Sequence, residues 1–322
     1  MAKFRVVVTE CDFNRPYSIE ESELRPIGAE LVLAEAKSQA EVIAASAEAD
    51  GLLVQYATIN AEVIAQLKRC RVLARYGIGM DMIDLAAAAR HGIVCCNVPD
   101  YCVSEVADHT MAVLLDLARQ ITRLHGSVQT GVWNVRHVAA ACERVDGQTL
   151  GLVGLGKTAQ AVAIRARAFG LHVIAYSPRA PDDVFRAHGI QRTGLDELLA
   201  AADFVSLHTP LRAETRHLIG ARELARMKPS AYLINTARGA LVDSVALVHA
   251  LQAGRLAGAG LDVLEQEPLP ARSPLRELPN VLVTPHAAFF SRTSIAILRR
   301  ETAAEVARVL SGRPPRSPVL PA

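Results

Sequence analysis

The sequence predicts an α/β protein built from two doubly wound parallel sheets, and three observations carry that expectation. Short apolar runs of strand length alternate with stretches of helical periodicity along most of the chain, the pattern of units in which helices cover both faces of a parallel sheet. One apolar run, Leu150-Gly151-Leu152-Val153, ends in Gly154-x-Gly156-x-x-Ala159 and passes straight into a helical pattern. That strand, turn and helix order is the context a dinucleotide fingerprint requires. The chain has 322 residues, more than one hydrophobic core of ordinary size serves, which implies about two domains.

Composition narrows the functional classes. Hydrophobic residues make up 51% and charged residues 21% of the chain, a globular balance. The formal net charge is +2 and the arginines are scattered rather than blocked, so no nucleic-acid or anionic-membrane partner is expected. The N-terminal apolar run is too short for a secretory signal and no stretch reaches transmembrane length, so the expected location is the cytoplasm. Cys11, Cys70, Cys95, Cys96, Cys102 and Cys142 form no C-x-x-C and have no histidine at zinc spacing, which predicts free thiols in a reducing compartment and no metal site. Cys95 and Cys96 are read as one core-facing and one surface-facing position of a strand.

Strands are expected over residues 6–8, 29–33, 51–54, 72–74 and 93–95, with helical patterns over 40–47, 61–67 and 83–90. This first unit has the alternation of a flavodoxin-like winding. Asn97-Val98-Pro99-Asp100-Tyr101 breaks it, because Pro99 lacks an amide donor and disfavours helix at Val98. A single long helix is predicted from about 104 to 128. Its apolar positions Val106, Ala107, Met111, Leu114, Leu115, Ala118 and Ile121 make a stripe too wide for one face, which implies burial on two sides, a crossing into a second domain and part of a dimer interface.

The alternation resumes with a strand from Leu150, helix 160–169, strand 172–176, helix 196–201, strands 203–207 and 231–234, helix 244–253, and strands 257–261 and 281–283. In a doubly wound sheet the ligand edge lies at the carboxyl ends of the strands. Just beyond those ends fall His208-Thr209-Pro210, Asn235-Thr236-Ala237-Arg238-Gly239, Asp262-Val263 and Thr284-Pro285-His286. A last helix over 293–310 returns to the first domain, and the tail from residue 312 is proline-rich.

At the fingerprint, Gly154 allows the turn, Gly156 lets backbone approach a pyrophosphate and Ala159 keeps helix and strand close, with Lys157 and Thr158 opening the helix at the phosphates. The following strand ends at Ser177-Pro178-Arg179, about twenty residues on, where an NAD enzyme usually places an acidic residue on the ribose. A hydroxyl and a guanidinium in that place lean the cofactor toward NADP(H) over NAD(H), since arginine makes charge-assisted hydrogen bonds to phosphate. The alternative is a solvated turn and continued use of NAD.

The chain resembles the D-isomer-specific 2-hydroxyacid dehydrogenase family, within it the branch of the C-terminal-binding-protein corepressors and phosphoglycerate dehydrogenase-like proteins. The resemblance runs from about residue 51 to 312. It is carried by Arg75-Tyr76-Gly77-Ile78-Gly79-Met80-Asp81-Met82-Ile83-Asp84, Asn97-Val98-Pro99, Glu105-Val106-Ala107-Asp108-His109-Thr110, the glycine turn, Asn235-Thr236-Ala237-Arg238-Gly239, Leu261-Asp262-Val263, Glu267-Pro268 and Thr284-Pro285-His286-Ala287-Ala288. It implies a flavodoxin-like substrate domain of residues 1–99 and 288–322, with a Rossmann cofactor domain, 100–287, inserted in it; the strand count divides the chain the same way.

The family's catalytic trio falls on Arg238, Glu267 and His286. Reducing a 2-keto acid needs a proton at the ketone oxygen as hydride arrives at carbon, work that suits a histidine. Glu267 would hold the second ring nitrogen and fix its tautomer, and Arg238 would clamp the substrate carboxylate. The resemblance further places substrate at Tyr76, Gly77 and Ile78, the last two through backbone amides, and at Phe289, which stands where the corepressor branch has Trp. It places cofactor at Ile78, His208, Thr209, Thr236, Ala237 and Asp262, the last of which would accept from the nicotinamide carboxamide. It also implies closure of two lobes and a homodimer through the cofactor domain. The substrate class is then a small 2-keto or D-2-hydroxy acid such as glyoxylate, hydroxypyruvate or a phosphorylated relative. The competing reading is a dinucleotide-gated peptide-binding protein of the corepressor type. A longer phosphoglycerate dehydrogenase with a regulatory module is not expected, since only a short tail follows residue 312.

Overall fold

The computed structural model describes residues 2–13, 15–139 and 142–321. In chain order its elements are β1 (Phe4–Val8), α1 (Ser18–Leu24), β2 (Ala29–Leu33), α2 (Gln39–Ser46), β3 (Gly51–Val54), α3 (Ala61–Ala65), β4 (Val72–Arg75), α4 (Leu85–Arg90), β5 (Val94–Cys96), α5 (Val103–Arg119), α6 (Ile121–Gln129), α7 (Val135–Val138), β6 (Thr149–Val153), α8 (Lys157–Ala168), β7 (His172–Tyr176), α9 (Asp182–Ala187), β8 (Gln191–Arg192), α10 (Leu195–Ala201), β9 (Phe204–Leu207), α11 (Ala221–Leu224), β10 (Tyr232–Asn235), α12 (Ser244–Gln252), β11 (Gly258–Leu261), β12 (Val281–Val283) and α13 (Arg292–Leu310). The chain divides into two units, Met1–Tyr101 with Ser291–Ala322, and Cys102–Phe290.

The first unit carries a five-stranded sheet of order β2-β1-β3-β4-β5, every pair parallel, the flavodoxin-like winding expected. Alternate strand residues feed two separate cores. Val7, Leu52, Val54, Leu73 and Cys95 pack with Val42, Val63, Ile64, Ala87 and Ala88 of α2 to α4. Val6, Val8, Leu53, Val72, Ala74 and Cys96 pack with Leu24 of α1 and Leu298, Ala303, Val306 and Leu310 of α13. This corrects the expectation for the adjacent cysteines: both are buried, because helices cover both faces of the sheet and leave no surface side on β5.

The second unit carries a seven-stranded parallel sheet of order β12-β11-β10-β9-β6-β7-β8. The winding reverses between β6 and β9, and in such sheets a ligand crevice opens at the carboxyl ends flanking the reversal. α5 and α8 cover one face over Leu150, Leu152, Val173, Phe204 and Ile234. α10, α11 and α12 cover the other over Val153, Val205, Leu207, Leu233 and Leu261.

The helix predicted over 104–128 is two helices. Gln120 adopts φ +56, ending α5, and Asp116 Oδ1 accepts from the amide (2.8 Å) and hydroxyl (2.9 Å) of Thr122 to start α6. A left-handed glutamine carries no sequence signal comparable to a terminal glycine, so the apolar stripe reads through the break. Of that stripe, Ala107, Met111, Leu114 and Ala118 are buried and Val106 and Leu115 half-buried on α5, whereas Ile121 on α6 is exposed.

Candidate active site

β6 delivers the glycine turn. Gly154 takes φ +101, and a Cβ there would lie 2.5 Å from the carbonyl oxygen of His208, so the turns after β6 and β9 meet backbone to backbone. Gly156 caps α8, and a Cβ on it would meet nothing within 4 Å, leaving open space before a helix that begins at Lys157 and Thr158. Ala159 is fully buried against the sheet. Open space at the positive end of a twelve-residue helix fits a dinucleotide phosphate. Beside it the His208 Nε2 and the Ser206 hydroxyl are 2.9 Å apart, and burial pushes the His208 imidazole down to about 4, so it is neutral at neutral pH. Thr209 follows on the same turn.

After β7, Ser177 and Arg179 lie on the turn, and Arg179 donates to Glu214 at 2.8 Å in an exposed ion pair. Arg192 donates to the carbonyls of Ser177 and Ala180. The guanidinium the sequence assigned to a phosphate thus has a carboxylate partner in the free protein.

The turn after β10 is shaped by Asn235, whose side chain accepts from the Ala237 amide (3.0 Å) and donates to the Arg238 carbonyl (2.8 Å). A Cβ on Gly239 would fall 1.9 Å from the carbonyl carbon of Leu264, so only glycine lets this turn lie against the segment that leads to Glu267. Glu267 Oε2 lies 2.8 Å from His286 Nδ1, and its Oε1 accepts from the Leu264 amide at 2.9 Å. Burial raises the Glu267 carboxyl, but the hydrogen bonds from His286 and Leu264 and the nearby charges of His286 and Arg238 outweigh it and hold it below the usual carboxylate range. All three residues of the expected trio therefore converge on one rim, and the edge of Phe289 approaches the His286 ring at 6.0 Å and 82°.

Asp262, read as a nicotinamide contact, has a second set of partners. It is 2% exposed, its Oδ1 accepts from the Thr284 hydroxyl (2.6 Å) and the Ala287 amide (2.8 Å), and its Oδ2 accepts from the Ala288 amide (3.0 Å). Thr236 Oγ1 lies 2.9 Å from Thr110 Oγ1 on α5. Sequence reasoning missed His109, whose Nε2 lies 3.0 Å from Thr284 Oγ1; only its place in the Glu105-to-Thr110 motif could have flagged it.

In the first unit, Tyr76 is buried and its hydroxyl donates to Glu20, which also accepts two bonds from Arg299. Its side chain belongs to the core, leaving only backbone for a ligand. The Gly77 amide donates to the Arg75 carbonyl at 2.9 Å, and the Ile78 carbonyl accepts from Asn97. On the same carboxyl rim, Asp12 accepts from Gln55 Nε2 (2.7 Å) and the Tyr56 hydroxyl (3.0 Å). Among the described residues no group of three or more His, Cys, Asp or Glu side chains could hold a metal, and no helix is long and apolar enough to cross a membrane.

A family model described as D-isomer specific 2-hydroxyacid dehydrogenase, NAD binding domain, matches residues 111–288. The chain is 42% identical over 247 residues to a D-3-phosphoglycerate dehydrogenase of Mycobacterium leprae (strain TN), the match covering 76% of this chain and 46% of that one. It is 42% identical over 232 residues to a glyoxylate reductase of Korarchaeum cryptofilum (strain OPF8), covering 71% and 70%. The match thus spans less than half the length of the mycobacterial relative. A crystal structure of a protein from Thermus thermophilus aligns with TM-score 0.89 at 38% identity, over 98% of this chain and 100% of that one.

Proposed function

The chain belongs to the D-isomer-specific 2-hydroxyacid dehydrogenase family, and from that premise we propose that it reduces a small 2-keto acid such as glyoxylate or hydroxypyruvate to the D-2-hydroxy acid. Its relatives are dehydrogenases and reductases, and the peptide-binding alternative is not favoured. When bound, the nicotinamide supplies the hydride. The observation that carries the rest is the 2.8 Å bond between Glu267 and His286 Nδ1. With Nδ1 engaged, Nε2 is the nitrogen left to give a proton to the ketone oxygen, and to take it back in the oxidative direction. Arg238, close enough to lower the Glu267 carboxyl, would pair its fork with the substrate carboxylate. Gly154, Gly156, Lys157 and Thr158 would hold the pyrophosphate, and His208, Thr209, Thr236, Ala237 and Asp262 the rest of the dinucleotide. Gly77, Ile78 and Phe289 would line the substrate.

Ser177, Arg179 and Arg192 support NADP(H): an exposed pair such as Arg179–Glu214 contributes little and yields readily to a phosphate. We further place the enzyme in the cytoplasm as a homodimer. A panel of glyoxylate, hydroxypyruvate and phosphohydroxypyruvate assayed with NADPH and with NADH tests the substrate and cofactor readings together. Turnover of the first two, a preference for NADPH and loss of activity in His286→Asn are expected; unchanged activity in His286→Asn removes the proton role.

A further inference from the structure

α5 reaches the turn that carries His286 through His109, and we propose that His109 is a positioning residue for that histidine, acting through Thr284 and Asp262. The inference rests on the reading of His286 as proton carrier. Thr284 has one hydroxyl proton, and at 2.6 Å it goes to Asp262 Oδ1. Its oxygen is therefore an acceptor, and His109 Nε2, 3.0 Å away, carries the proton that fills it. The same nitrogen lies 3.5 Å from Asp262 Oδ1.

Asp262 in turn fixes the backbone on either side of His286. Its carbonyl accepts the His286 amide at 2.8 Å, and its carboxylate takes the amides of Ala287 and Ala288. His286 sits at φ +52, which a residue with a side chain seldom adopts and keeps only where its surroundings over-determine it. The over-determining group here is Asp262, so a displaced Asp262 carboxylate displaces the imidazole.

The helix that supplies His109 is pressed onto the sheet. A Cβ on Gly260 of β11 would lie 2.2 Å from Val113 Cγ1 and 3.1 Å from Leu117 Cδ1. His109, Val113 and Leu117 share one face of α5 at four-residue spacing, so this glycine sets the height at which the His109 ring meets Thr284. The next residue repeats the device one turn over: the Thr110 hydroxyl donates to the Val106 carbonyl at 2.7 Å and its oxygen meets Thr236 Oγ1 at 2.9 Å. One helix thereby fastens both the β10 turn that ends in Arg238 and the β12 turn that ends in His286.

The test uses the full chain with glyoxylate and hydroxypyruvate at saturating cofactor. In His109→Leu, kcat falls by about a hundredfold, the cost of a small misplacement of a reacting group, while KM for the keto acid and the melting temperature stay put. His109→Gln, whose side-chain amide can donate to Thr284, restores most of kcat. Thr284→Val behaves as His109→Leu and Thr284→Ser as wild type, which reads the same link from its other end should the leucine variant not fold. In 15N-histidine-labelled protein without substrate, the ring resonances assigned by their loss in His286→Asn shift in His109→Leu and not in His109→Gln. Wild-type kcat in His109→Leu, or a loss that glutamine does not restore, overturns the proposal. If His286→Asn itself keeps full turnover, the reading beneath it fails instead; if only His286→Asn loses turnover, that reading stands and the positioning role alone is lost.

Discussion

His208 shows what a single buried side chain does to the molecule's response to acid. Its imidazole, pushed by burial from 6.5 down to about 4, stays neutral in the fold while an unfolded chain would take up a proton. Stability from this group is therefore whole above pH 6.5 and declines as pH falls toward 4. Urea midpoints across that window should drop more steeply in the wild type than in His208→Asn, and equal slopes would contradict the assignment. Glu267 works in the same direction lower on the scale: its depressed carboxyl favours the fold above the ordinary carboxylate range and loses that effect as pH falls through its folded value, a small effect for a group so exposed. At this scale the grouping of Arg238, Glu267 and His286 was legible, because the family resemblance singled them out and all three fall just beyond strand ends of one sheet. The His109–Thr284 bond was not legible, since it joins residues 175 apart through a contact that no local pattern encodes.

Elements were legible where periodicity and burial agree. β2 and β3 run over the residues expected, because their apolar runs are bounded by polar turns on both sides. α1 escaped notice because Ser-Ile-Glu-Glu-Ser-Glu-Leu reads as a solvated charge run, yet it buries Glu20 under two bonds from Arg299, a pairing made 279 residues away. The break at Gln120 within the predicted 104–128 helix went unread because no glycine or proline stands at that point to announce it. The turn after β10 gives the element-scale prediction. Gly239→Ala forces a methyl to 1.9 Å from the Leu264 carbonyl carbon, so stability should fall by about 1–3 kcal/mol, with kcat falling further than that loss explains as Glu267 is displaced. Gly126→Ala in α6, where a Cβ meets nothing within 4 Å, is the control and should leave both unchanged or gain up to about 1 kcal/mol in stability. Chemical denaturation and steady-state kinetics on the two variants decide it.

At the scale of the whole molecule, the stretch from α6 to α7 exposes Ile121, Val128, Val132, Trp133 and Val135, an apolar run of the kind that marks an association surface. Trp133 is the chain's one tryptophan and is 88% exposed in a single copy. If two copies associate through this stretch, tryptophan emission should move to shorter wavelength with rising protein concentration, in step with a sedimentation shift from one to two chains. Trp133→Ser should weaken association and leave the fold intact; concentration-independent emission and a single-chain sedimentation value would exclude this face.

The Glu267–His286 pair, its Asp262 anchor and the helix that braces them are all encoded between residues 102 and 290, whereas Gly77 and Ile78, proposed to line the substrate, are encoded in the first hundred. On those proposed roles, mutation can explore new appetites in one stretch of the gene while the proton-handling parts, written in another, are left alone. A lineage carrying this plan can diversify what it consumes without reinventing how it reacts.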